Sequence, residues 1–116
     1  MRRNENYRDD LLADLRNDAA YAAAYLSAAK ADSKEAFLVA LRDVAEAQSG
    51  MKAVAKAADV NRENLYRALS KEGNPRIDTL DSVLEVLGVE MIFVPRGNGR
   101  RRLSKTRSAR KAGGNS

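Results

Sequence analysis

The chemistry in this chain of 116 residues is concentrated in one short stretch, Asn61, Arg62, Glu63, Asn64, Tyr66 and Arg67. Arginine can fork onto guanine, asparagine onto adenine, glutamate can accept from the cytosine amino group, and a tyrosine can meet a phosphate or a thymine methyl. On one short helix, these residues near its start and one turn later would face base edges, as in the second helix of a helix-turn-helix. Lys52 lies ahead of this set and Arg76 in the loop beyond it, placed to hold phosphates on either side. For an isolated segment of this length the bland alternative, a merely solvated helix face, would win; here the flanking pattern shifts the balance toward double-stranded DNA, with Glu63 as the feature against it.

Other chemistries lack their residues. The chain contains no His and no Cys, which removes disulfides, thiolate and imidazole metal ligands, and every nucleophile or base built on those side chains. Asp9 and Asp10 are a carboxylate pair, but they fall at a solvent-facing helix start with no pocket implied. No catalytic residue, metal site, cofactor or small-molecule substrate is expected.

The elements around the reader set follow from hydrophobic spacing. Val54, Ala55 and Ala58 give a short apolar face, Asp59-Val60-Asn61 interrupts, and Leu65, Ala68 and Leu69 give a second. Two helices of about eight residues joined by a three-residue turn are the dimensions of a helix-turn-helix. Ala55 is placed at the close crossing, Val60 tucks into the wedge, and Asn61 caps the second helix. Asp59 stands where such turns commonly have Gly, and Asp tolerates the left-handed conformation better than most residues.

Upstream, Leu12, Leu15, Ala19, Ala22 and Leu26 predict one helix over 9–29, with residues 1–8 frayed and Tyr21 and Tyr25 covering the core edge, hydroxyls in water. Asp32 with Glu35 resembles a capping box for a helix over 33–48, burying Phe37, Leu38, Leu41, Val44 and Ala45 and exposing Lys34, Arg42, Asp43 and Glu46. Ser49 is placed to cap the next helix and Gly50 to mark the boundary. Downstream, Pro75 excludes helix, Asp78 caps a helix over 79–87, and Gly88 ends it. Val89, Glu90, Met91, Ile92, Phe93 and Val94 read as a short strand closed by Pro95. An isolated strand leaves its backbone groups unpaired, so Val89, Met91, Ile92, Phe93 and Val94 are the candidate dimer strand, paired across a two-fold axis. The expectation is an all-α domain of five helices over 9–95 with a short C-terminal β-strand, followed by a disordered tail over 96–116.

Charge divides along that boundary. Residues 1–95 carry 13 basic and 16 acidic side chains, while 96–116 carry eight basic and none acidic, so the net charge of +5 belongs to the tail. The tail is either a solubilising end or an arm that engages phosphates without choosing sequence. No apolar run approaches the roughly 20 residues of a membrane span, and no signal-peptide core follows the N-terminus, so a cytoplasmic protein with no membrane partner is expected.

The run from Ser49 to Pro75, with Thr79-Leu80 and Leu87-Gly88-Val89, resembles the probable addiction-module antidote proteins, HigA-like antitoxins with a lambda-repressor or Cro-type helix-turn-helix. The resemblance covers about residues 9–95 and is most specific over Leu65-Tyr66-Arg67-Ala68-Leu69-Ser70 to Gly73-Asn74-Pro75. It implies an antitoxin that neutralises a RelE-like toxin and represses its own operon as a dimer bound to operator DNA. Two other readings stand beside it: a stand-alone repressor without a toxin, and a protein-interaction module that has lost DNA.

Overall fold

A computed structural model describes the backbone of residues 2–97 and the side chains of 7–97. Among the described residues six helices follow one another, α1 (Arg2–Asn17), α2 (Ala19–Asp32), α3 (Lys34–Gln48), α4 (Met51–Ala57), α5 (Arg62–Ala68) and α6 (Ile77–Leu87), and there is no strand. The fold is all-helical, with one helix more than the spacing predicts and without the expected C-terminal strand.

The extra helix comes from Asp18. Its extended backbone (φ −136°, ψ 100°) interrupts the run expected over 9–29, and its carboxylate accepts the Tyr21 N–H at 3.1 Å. Asp competes for the backbone in this way wherever a cap is geometrically open, and an Ala-rich neighbourhood hides that signal. The helix before the break already begins at Arg2, across residues expected to fray. The break lets α2 pack against both α1 and α3, so Leu15 from α1 and Ala22 and Leu26 from α2 enter one core.

Caps differ from expectation by one residue or two. Ser33, not Asp32, starts α3: its hydroxyl accepts the Ala36 N–H at 3.0 Å while its own N–H closes α2 on Ala29. Gly50, at φ 92°, precedes α4 without a side-chain bond, and Ser49 instead ends α3. Arg76 occupies the cap position of α6, placing Asp78 inside the first turn where its charge suits the helix dipole. Gly88 ends α6 in the left-handed conformation (φ 81°), as the sequence predicts.

The core runs through α3, whose Leu38, Leu41, Val44 and Ala45 are buried against α1, α2, α4 and α6. Met51, Val54, Leu65, Leu69, Val83, Leu84 and Leu87 extend it, with small alanines between. Asp43, expected to face water, is buried at 8% exposure. It accepts the Arg8 guanidinium at 3.0 Å and the Tyr25 hydroxyl at 2.7 Å. Arg8 also reaches Glu46 at 2.9 Å, and Arg16 donates to the Ala47 carbonyl at 2.8 Å. Thus α1 is held to α3 by two arginines as well as by its leucines. A buried carboxylate is tolerated because each of its oxygens accepts a hydrogen bond.

The Tyr25 hydroxyl is therefore not in water. Burial, then its bond to the Asp43 carboxylate, pushes its pKa from 10.0 up to about 12. The unfolded chain releases this proton first as pH rises, so the contribution is intact below pH 10 and is lost on approaching 12. Tyr25→Phe is expected to lower stability by about 1.5 kcal/mol at neutral pH. Denaturant midpoints measured from neutral pH upward should show the wild-type excess over Tyr25→Phe shrinking across that alkaline window; a constant excess would contradict the assignment.

Candidate nucleic-acid interface

The turn between α4 and α5 begins with Ala58, which is buried and whose N–H bonds the Val54 carbonyl at 2.9 Å. Asp59 follows in the left-handed region at φ 61°, a conformation open to few residues other than Gly. That reversal returns the Val60 N–H to the Ala55 carbonyl at 2.9 Å and seats the Val60 side chain against the core. Asn61 then caps α5, its side-chain oxygen accepting the Asn64 N–H at 3.0 Å.

With this entry angle only Leu65 of α5 is buried, joined by Leu69 just beyond. Arg62, Glu63, Asn64, Tyr66 and Arg67 are all exposed, as are Asn61, Lys52 at the start of α4 and Arg76 before α6. Arg67 donates to the Asn64 side-chain oxygen at 3.4 Å, a weak contact. Asn64, Arg67 and Arg76 border one shallow depression together with Ser70, Gly73 and Thr79. Among the described residues every ion pair involves Arg8, so Lys52, Arg62, Arg67 and Arg76 carry unneutralised charge. Among the described residues no group of acidic side chains could hold a metal ion.

Sequence reasoning missed Arg42. Its guanidinium lies 6.0 Å from the centre of the Tyr66 ring, bringing a cation from α3 to one edge of α5. No spacing rule relates positions 42 and 66; the contact exists because both helices pack on the same core. Also unread was the reason for Gly73. It is buried where the loop folds back, its N–H bonding the Ser70 carbonyl at 2.8 Å, and a Cβ there would collide with the Ala68 carbonyl at the end of α5.

The fold and this surface define a small helical domain that presents one short polar helix packed against α4. The chain matches the family of probable addiction module antidote proteins over residues 7–95, and it belongs to that family. An uncharacterized protein of Haemophilus influenzae is 41% identical over 59 residues, an alignment covering 51% of this chain and 60% of the relative. The chain thus spans less than two thirds of that relative's length. No solved structure matches it. The expected tail beyond Gly97 lies outside the described residues.

Gly73→Ala should force the loop off α5 and cost about 2 kcal/mol, the range of an overpacked core. Thermal unfolding followed by circular dichroism would read this as a clear drop in midpoint; an unchanged midpoint would mean that the loop relaxes freely and does not fix the end of α5.

Proposed function

We propose that α4, the Asp59 turn and α5 form a DNA-reading helix-turn-helix, and that the chain is an addiction-module antidote that represses its own operon. The observation that carries the DNA reading is the outward face of α5: Arg62, Glu63, Asn64, Tyr66 and Arg67 are exposed together, with neither arginine in an ion pair among the described residues. A domain whose first 95 residues hold more acidic than basic side chains would gain little from general attraction to DNA, so the placement of these few cations has to carry it. Arg62, Asn64 and Arg67 are assigned to base edges, Lys52 and Arg76 to phosphates.

Family membership supports the antidote role, and with it a toxin partner. We assign that toxin to the RelE-like class on the resemblance of the motif region. The basic residues of 96–116 would add phosphate attraction and salt dependence without choosing the site.

One short helix reads few base pairs, so two copies on adjacent half-sites are the natural arrangement. Residues 89–94 support it. Met91, Ile92, Phe93 and Val94 are exposed, Phe93 at 93%, and residues 90–97 make no backbone hydrogen bond within the described chain. Pairing that segment with its copy would cover the apolar side chains and satisfy the backbone.

Gel-shift titrations on duplex DNA from upstream of the chain's own reading frame test the first part. Arg62→Ala, Asn64→Ala and Arg67→Ala should each cost about 1–3 kcal/mol and relax preference at particular base pairs, while Lys52→Ala and Arg76→Ala weaken all sequences alike. Uniform loss from the α5 variants would make them phosphate contacts instead. For assembly, light scattering should find Ile92→Pro monomeric where the wild type is a dimer; a persisting dimer would refute strand pairing.

A further inference from the structure

On the DNA reading, Arg62 and Arg67 of α5 go to base edges, which leaves Lys52 and Arg76 for phosphates. Asn64, Arg67 and Arg76 gather at the depression on one side, but a helix seated in the major groove has a phosphate wall on each side. Tyr66, 43% exposed and outside that depression, has Arg62 one turn before it on α5 and Arg42 of α3 against its ring. A guanidinium over a ring face is oriented by the ring quadrupole and still presents its N–H edges outward.

Arg42 should not be available. On an α-helix its neighbour one turn on is Glu46, the ordinary salt-bridge partner at that spacing. The structure gives Glu46 to Arg8 at 2.9 Å, and the same guanidinium takes Asp43 at 3.0 Å. Both carboxylates near Arg42 on α3 are therefore occupied from α1, and Arg42 makes no ion pair among the described residues. It turns to Tyr66 instead.

Resting on the DNA reading, we propose that Arg42 is a phosphate anchor on the Tyr66 flank of α5, and that Arg8 keeps it available by occupying Glu46. Arg8 is thus a positioning residue, acting from α1 on a contact made by α3. The docking of the N-terminal helix is in this way coupled to the strength of DNA binding, without α1 touching DNA.

The test uses the full chain and the upstream duplex, with affinity measured by fluorescence anisotropy over a range of salt concentrations. Arg42→Ala should weaken binding about five- to tenfold at low salt and lower the slope of log K against log salt by about one, the signature of one lost phosphate contact. It should leave the preferred sequence unchanged, and Arg42→Lys should keep most of the slope. Arg8→Ala should reproduce part of the loss by releasing Glu46 onto Arg42. Adding Glu46→Gln to Arg8→Ala should restore binding, whereas Glu85→Gln, an equal charge change on α6, should not. If both acid changes restore binding equally, net charge explains the effect and the role of Arg8 is refuted. If the wild type binds and Arg42→Ala leaves affinity and slope unchanged, the anchor is refuted while the DNA reading stands. If the wild type fails to bind even at low salt, the DNA reading falls and the anchor with it. Because Arg42 is exposed, its variants test the anchor even if Arg8→Ala does not fold.

Discussion

The left-handed backbone at Asp59 is the constraint on which the candidate surface depends. At φ 61° the chain turns back sharply enough for the Val60 N–H to reach Ala55 and for Asn61 to arrive in position to cap α5. A right-handed residue there would extend α4 and carry the following side chains around its axis. Leu65 would lose the core, and Arg62, Asn64 and Arg67 would no longer share an outward face. Asp is among the few residues with a side chain that accepts this conformation at modest cost. The seven-residue helix that follows is too short to be stable alone, so the cap, the buried Leu65 and the fold-back at Gly73 hold it from three sides.

A second constraint lies at the other end of the molecule. Burying the Asp43 carboxylate in α3 demands partners, and they come from α1 and α2, as Arg8 and Tyr25. The same helix supplies the core beneath α4 and carries Arg42 to the edge of α5. Thus one helix connects the N-terminal pair to the polar surface, through a cluster whose members would otherwise compete for one another.

Much of this was legible in the sequence, and the residues explain why. The α4–α5 unit could be read because its spacing, its turn residue and its cap all point to the same geometry. The glycine stop at Gly88 was equally plain. The division of 9–29 was not, because the Ala-rich helix signal runs unbroken across Asp18 and only the open cap geometry decides the break. Asp43 was misplaced because a charged residue beside an apolar stripe ordinarily faces water; its burial depends on Arg8, 35 residues earlier. Residues 89–94 have strand chemistry, but a strand needs a partner ladder, and none lies within the described chain. Arg42 belongs with these: a contact between two helices leaves no local trace.

Together these features describe a small domain in which a single turn aims one helix and the core seats it through Leu65. The proposed role asks that this helix discriminate among DNA sequences rather than merely attract them. The most direct measurement is the wild-type protein's affinity for duplex from upstream of its own reading frame, compared with a duplex of the same composition and scrambled order at moderate salt. Clear preference for the upstream sequence is expected, persisting as salt rises and non-specific attraction fades. Equal affinity for the two duplexes at every salt concentration would contradict it.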